Sequence, residues 1–144
     1  MKLDKALKIA VRAHAGQKDS AGDPYILHPL RVMLKMSTQA EMIAAILHDV
    51  VEDTDLTLKD LRKKGLPRRL AKVVDDVSRR PGEDYFDYVR RAGGRSMSRK
   101  IKLADLEDNM AWRRRKGRAG KDRARMARYR KAYRMLKDRR VNAK

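Results

Sequence analysis

Apolar residues recur at helical spacing along nearly the whole chain, and this periodicity is what most limits the fold. No window alternates apolar and polar residues over β-branched positions, as a half-buried strand would. Gly and Pro separate the periodic segments, and neither an internal repeat nor a low-complexity linker is visible. A chain of 144 residues can bury one core of ordinary size. We therefore predict one all-α domain over 1–144, a bundle of about seven or eight helices.

Capping residues and helix breakers set the predicted limits of these helices. Thr38 with Glu41 forms a capping-box pattern, and Thr57 with Asp60 has the pattern of another helix start. Pro67 suits the first turn of a helix, where its missing N–H costs nothing. The predicted helices cover about 3–15, 30–36, 41–54, 57–65, 67–77, 85–91, 99–112 and 119–140.

The positive charge of the chain is concentrated near its C-terminal end. The net charge is +19, and residues 113–144 carry 16 Lys and Arg against two acids. Within this segment an apolar stripe at spacings of three and four predicts an amphipathic helix, about 119–140, docked on the domain; its members are Met126, Tyr129, Tyr133 and Leu136. A basic outer face favours anionic partners, namely a polyphosphate substrate, nucleic acid or an acidic membrane surface, although it is equally compatible with a solvated helix face.

Composition excludes several classes of site. The chain has no Cys, so disulfides, thiolate metal sites and cysteine nucleophiles are ruled out. It has no run of about 18 apolar residues and no signal-peptide pattern at its start, so we predict a cytoplasmic protein with no membrane partner. The sequence gives no indication of the oligomeric state.

Three separated segments carry ionisable residues where a metal ion would stabilise them. The apolar run 42–47 draws the helix that bears His48 and Asp49 into the core, and clustered carboxylates there repel one another unless a cation neutralises them. Asp105 lies mid-helix among apolar residues, and His28 lies in a turn-rich loop next to proline. We predict one site for a divalent cation with four ligands: His28, His48, Asp49 and Asp105. Two imidazoles with two carboxylates suit Mn, Fe or Zn better than Mg.

The same segments identify a family resemblance. YILHP at 25–29, LHDVVEDT at 47–54 and IKLADLEDN at 101–109 resemble the hydrolase domain of the RelA/SpoT-type alarmone enzymes, which are HD-domain proteins, and especially their small stand-alone relatives. The resemblance extends in order from AHAGQ at 13–17 to RMARY at 125–129. It implies an all-helical HD-type fold and Mn²⁺-dependent removal of the 3′-pyrophosphate from (p)ppGpp, the nucleotide of the stringent response.

The resemblance also implies roles for individual residues. The four predicted ligands match the metal ligands of the family, and the catalytic pair that positions or activates water would be Glu52 and Asp53. Residues matched to the nucleotide pocket are Tyr25, Asn109, Arg125 and Tyr129. Lys102 and Arg125 would balance the charge that develops on the phosphoryl oxygens.

One position departs from the family pattern. Asp19 stands where the family has an Arg that packs on the guanine base, and a carboxylate cannot stack as a guanidinium does. The neighbouring Lys18 would bind phosphate instead. Asp19 keeps one alternative open, an HD hydrolase of another nucleotide, such as an NADPH-like compound or a deoxynucleotide. The basic tail keeps a second one open, a nucleic-acid-binding or regulatory protein on the same scaffold. We expect the basic tail to contact nucleic acid only under the second alternative.

Overall fold

The computed structural model describes residues 1–138, and this part of the chain is all-helical, as predicted. The backbone contains one isolated β-bridge, between Lys18 and Pro24, in the loop after the first helix. The helices are α1 Leu3–Ala13, α2 Leu27–Leu34, α3 Gln39–Ile46, α4 Val50–Asp53, α5 Leu58–Lys63, α6 Arg68–Asp76, α7 Tyr85–Ala92, α8 Ser96–Arg115 and α9 Arg123–Lys137. Positions 139–140 of the predicted last helix lie outside the described residues.

Both predicted capping boxes form. The side chain of Thr38 accepts a hydrogen bond from the backbone N–H of Glu41, and that of Thr57 accepts one from Asp60, while each acid caps the N–H of its threonine. These reciprocal bonds satisfy two N–H groups that a helix start leaves unpaired. The starts of α3 and α5 are therefore encoded locally.

The predicted third helix, 41–54, is divided into α3 and α4, which adds a helix to the expected number. Both the backbone N–H of His48 and its ring Nδ1 use the carbonyl of Ala45, at 3.2 and 2.6 Å. In a continuous α-helix that carbonyl would accept from the N–H of Asp49. The side chain of His48 thus favours a turn over residues 47–49.

The second helix begins three residues earlier than predicted. Leu27 is its first residue, so His28 lies in the first helical turn rather than in the preceding loop. Pro29 is tolerated there because the first N–H groups of a helix have no intrahelical acceptor. The helix fixes the direction of a side chain in its first turn, whereas the direction of a loop side chain is less restricted.

Two apolar clusters hold the helices together, and α8 takes part in both. The larger cluster includes Val32, Ile46 and Ile101, all fully buried. The smaller one joins α7, α8 and α9 and contains Val89, Leu106, Met110, Met126, Ala132 and Leu136. Helix α9 therefore packs its apolar stripe against α7 and α8. No helix within residues 1–138 combines the length and the apolarity needed to span a bilayer.

Candidate metal centre and active-site cleft

Four buried side chains from three parts of the chain meet at one point. One nitrogen or oxygen atom from each of them lies within 4.8 Å of all the others; the residues are His28, His48, Asp49 and Asp105. The Nε2 atom of His28 is 2.8 Å from Oδ1 of Asp105, and Nε2 of His48 is 3.1 Å from Oδ2 of Asp49. The convergence that the sequence predicted is therefore present in the fold.

Both histidines are oriented through the ring nitrogen that faces away from this cluster. Nδ1 of His48 donates to the carbonyl of Ala45, which can only accept, so the Nδ1–H form is fixed. Nδ1 of His28 lies 2.7 Å from Oδ2 of Asp108, which in turn binds the guanidinium of Arg31 at 2.8 and 3.0 Å. Each Nε2 is thereby directed at the cluster. Metal-binding histidines are commonly held in this manner.

The electrostatics of the cluster favour positive charge. Burial lowers the pKa of His28, but hydrogen bonds to Asp105 and Asp108 outweigh that effect and raise it to about 9. Burial raises the pKa of Asp49, but the charge of His48 and the hydrogen bond to it lower that pKa to about 2. The carboxylates and the imidazoles therefore stabilise each other's charged forms. A divalent cation could replace the protons that make the imidazoles cationic.

The residues present fit a divalent metal ion. Two imidazole nitrogens and two carboxylates supply the mixed nitrogen and oxygen donors that borderline first-row metals accept. The hydroxyl of Tyr25 donates to Oδ2 of Asp49 at 2.6 Å, and the amide of Asn109 donates to Oδ1 of Asp105 at 3.1 Å. These bonds orient both carboxylates toward the centre.

Glu52 and Asp53 extend the acidic cluster toward solvent. Partial desolvation, followed by the charges of Asp49 and Glu52, raises the pKa of Asp53 to about 7. Desolvation and Asp49 also raise the pKa of Glu52, whose Oε2 accepts from the backbone N–H of Arg79 at 3.1 Å. A carboxylate with a pKa near neutrality can both hold and release a proton at physiological pH.

A cleft of about 490 Å³ opens above the cluster. Of the predicted site residues, His48 lies beneath its floor, while all the others line it: Lys18, Tyr25, His28, Asp49, Glu52, Asp53, Lys102, Asp105, Asn109, Arg125 and Tyr129. The cleft is acidic around the cluster and basic where the residues of α9 and the loop after α1 border it. It can therefore take a ligand that brings a phosphate group to the metal end and further negative charge to the opposite end.

Lys102 lies deeper than the sequence suggested. Its Nζ donates to Oδ2 of Asp105 at 2.7 Å and lies 4.8 Å from the ring centre of Tyr88, and only 6% of the residue is exposed. A buried ammonium bound to a carboxylate is expensive to detach. Lys102 is thus committed to orienting Asp105 and neutralising its second oxygen.

The side chain of Asp19 forms hydrogen bonds within its own loop. Its Oδ1 accepts hydrogen bonds from the backbone N–H groups of Ala21 and Asp23, at 2.9 and 3.0 Å. Such bonds are typical of Asp in turns. The carboxylate therefore shapes the loop that borders the cleft, and Lys18 is the cation which that loop presents.

Sequence reasoning did not single out several residues of the cleft. Asp108 orients His28. The one feature of the sequence that pointed to it is its position about one helical turn after Asp105. Arg79 comes from a segment interpreted only as a turn, and Arg128 follows Arg125 by three residues. Both guanidinium groups lie over the ring of Tyr85, at 5.6 and 5.0 Å from its centre.

Comparison with known proteins agrees with this geometry. The HD domain family matches residues 6–142. Proteins named guanosine-3′,5′-bis(diphosphate) 3′-pyrophosphohydrolase from Aquifex aeolicus and Vibrio cholerae are 32% and 36% identical over 120 and 110 residues, covering 75% and 74% of this chain. The chain spans only 17% and 15% of those two proteins.

A solved structure has the same fold. It belongs to a metazoan orthologue of SpoT, described as hydrolysing ppGpp and acting in starvation responses. The similarity covers 92% of this chain and 85% of that one, with a TM-score of 0.73 and 24% identity. The site and the fold thus define an all-helical HD-type domain with a buried His/Asp cluster suited to a divalent metal ion. The chain belongs to the HD domain family.

Proposed function

We propose that this protein is a manganese-dependent phosphohydrolase that removes the 3′-pyrophosphate of guanosine 3′,5′-bis(diphosphate) or a closely similar nucleotide. The observation that carries the proposal is the buried cluster of two imidazoles and two carboxylates at the floor of the cleft. The names of the relatives from Aquifex aeolicus and Vibrio cholerae support the substrate class.

The proposed metal ligands are His28, His48, Asp49 and Asp105. A divalent ion held by them would supply Lewis acidity toward water and the phosphoryl oxygens at neutral pH. The carboxyl groups of Asp49 and Asp105 are kept ionised and correctly turned by neighbours already described. The site is therefore pre-organised for a cation rather than assembled when one arrives.

The remaining residues of the cleft perform the rest of the proposed chemistry. Asp53 accepts a proton from the attacking water at a carboxylate oxygen, since its pKa of about 7 matches that task. As the water oxygen bonds to phosphorus, the bond from phosphorus to the 3′-oxygen breaks, and the proton held by Asp53 passes to the departing oxygen, which leaves a 3′-hydroxyl and free pyrophosphate. Glu52, fixed by the backbone N–H of Arg79, orients the water from the other side. Arg125 and Lys18 bind phosphoryl oxygens as negative charge develops, and Tyr129 packs on the nucleoside.

Asp19 supports a second candidate, an HD hydrolase of another nucleotide. Because its carboxylate is occupied by two backbone N–H groups, the loop supplies no guanidinium for stacking on guanine. NADPH-like compounds and deoxynucleoside triphosphates can also place a phosphate group at the metal end of the cleft, and their binding does not require a guanidinium stacked on guanine. This candidate shares the metal site and differs in the nucleotide that the rest of the cleft binds.

One experiment tests both candidates. The Mn²⁺-loaded protein is incubated with ppGpp, NADPH and dATP, and phosphate and pyrophosphate are both measured. We expect pyrophosphate from ppGpp, and no product from any substrate with Asp105→Asn or His48→Ala, while Asp75→Asn on the surface of α6 keeps full activity. Circular dichroism checks that the inactive variants remain folded. Full activity in either of them would refute the metal assignment, and turnover of NADPH or dATP alone would favour the second candidate.

A further inference from the structure

Six of the seven basic residues of α9 fall on two sides of the helix, and the seventh, Lys131, has its Nζ 4.2 Å from the ring centre of Phe86. Arg125 and Arg128 line the cleft. Four others lie on the opposite side, because they are spaced by seven, four and three residues and one helical turn takes 3.6 residues. These exposed residues, here called the outer stripe, are Arg123, Arg130, Arg134 and Lys137. At a rise of about 1.5 Å per residue the outer stripe is ~21 Å long. The proposed hydrolysis makes no use of it.

The outer stripe is not neutralised by the protein. Helix α9 contains seven basic residues and no acidic one. Within the described part of the chain no ion pair involves Arg123, Arg130 or Arg134. The acid nearest the start of α9, Asp122, is already bound by Arg113 and Arg118. Within residues 1–138, these three arginines therefore have no carboxylate partner.

The arrangement also opposes the intrinsic preferences of a helix. Arg123 occupies the first turn, at the positive end of the helix dipole, where an acid would be stabilising. Arg130 and Arg134 are four residues apart, and like charges at that spacing repel each other. Residues that oppose the intrinsic preferences of the element in which they lie are expected mainly at functional sites. An anion bound along the outer stripe would relieve both conflicts.

A membrane surface is a poor partner for this face. A helix that lies on a bilayer buries its apolar face among the lipids. The apolar face of α9 is already used inside the protein, because Met126, Ala132 and Leu136 are buried against α7 and α8. The outward face offers only Ala127 between the cations, which is too small to anchor a helix in lipid.

We propose that the outer stripe binds duplex DNA through its phosphates, without regard to sequence. Arginine predominates, and its planar fork matches phosphate oxygens. A length of ~21 Å corresponds to about six base pairs. The aromatic residue nearest the outer stripe, Tyr133, is half-buried, donates to Glu107 and has Nζ of Lys137 over its ring at 5.5 Å, so its face is not open to unpaired bases. The outer stripe has no amide side chain that could read base edges. A B-form major groove admits an α-helix, whereas the major groove of duplex RNA is too narrow.

The test measures binding of the full chain to a fluorescent 16-base-pair DNA duplex by anisotropy, over a range of salt concentrations. The triple variant Arg123→Gln, Arg130→Gln, Arg134→Gln removes three charges of the outer stripe. We expect at least tenfold weaker binding, with the slope of log K against log salt reduced in magnitude by roughly three, since each phosphate contact contributes about 0.9. Hydrolytic activity should stay at the wild-type level, because no residue of the outer stripe lines the cleft.

A matched control separates the outer stripe from net charge. Arg68→Gln, Arg69→Gln, Lys72→Gln removes three exposed charges from α6 and should leave DNA binding unchanged. Equal weakening by both triple variants would overturn the proposal, as would tighter binding to single-stranded DNA, duplex RNA, polyglutamate or phosphatidylserine vesicles than to the DNA duplex. Because binding is read without substrate, its failure is distinct from failure of the hydrolase proposal.

Discussion

Removing the charge of Asp108 should weaken metal binding without removing any metal ligand. Its carboxylate lies 2.7 Å from Nδ1 of His28 and is held in place by two hydrogen bonds from Arg31. In Asp108→Asn the amide oxygen can still accept from one of these groups, but the negative charge that makes the imidazole a better donor to metal is lost. Changes to such supporting carboxylates reduce metal affinity by about 10- to 100-fold, or about 1.4 to 2.8 kcal/mol.

The dissociation constant for Mn²⁺ should be measured by electron paramagnetic resonance of the free ion, which does not depend on turnover. Glu107→Gln is the matched control, because it removes the same charge from the adjacent residue of α8 on an exposed face. We expect the control to bind Mn²⁺ as the wild type does. A dissociation constant for Asp108→Asn within twofold of the wild-type value, or an equal loss in the control, would refute the argument that Asp108 tunes His28.

Three further predictions concern stability. Leu136→Ala should lower the free energy of unfolding by about 2–5 kcal/mol in urea denaturation, since Leu136 is fully buried on the inner face of α9. Thr38→Ala should cost about 1 kcal/mol by the same assay, because Glu41 then loses its capping partner. The hydrogen bond from Arg91 lowers the pKa of Glu83 to about 2, against about 4.3 when unfolded, so its contribution is complete above about pH 5 and is lost as pH falls toward 2. Glu83→Gln should flatten stability across that window, and an unchanged pH profile would contradict this assignment.

The helices were predictable where the determinants are local. Thr38 and Thr57 each meet an acid three residues later, and both boxes form because the partners lie within one turn. The division between α3 and α4 was not predictable in this way. It depends on the ring of His48 turning back to the carbonyl of Ala45, and periodicity contains no information about a rotamer.

The metal cluster was predictable because burial makes isolated charges costly. Asp105 lies among apolar residues and His48 follows an apolar run, so each needed a partner that the sequence did not place beside it. Asp108 gave no comparable signal, since carboxylates one turn apart on a helix are usually solvated. Its burial follows from the rotation of α8 against α2, which brings it to His28, 80 residues away in sequence.

Helix α8 connects the chemistry of the cleft to the packing of both cores. Asp105, Asp108 and Asn109 point toward the cleft, while Ile101 belongs to the larger apolar cluster and Leu106 to the smaller one. A shift of α8 would therefore move the proposed ligand Asp105 and the carboxylate that orients His28, together with the apolar side chains on which α9 packs. This coupling explains why a domain with so much charge can keep a precise site: the long helix that carries Asp105 is the one that both clusters hold in place.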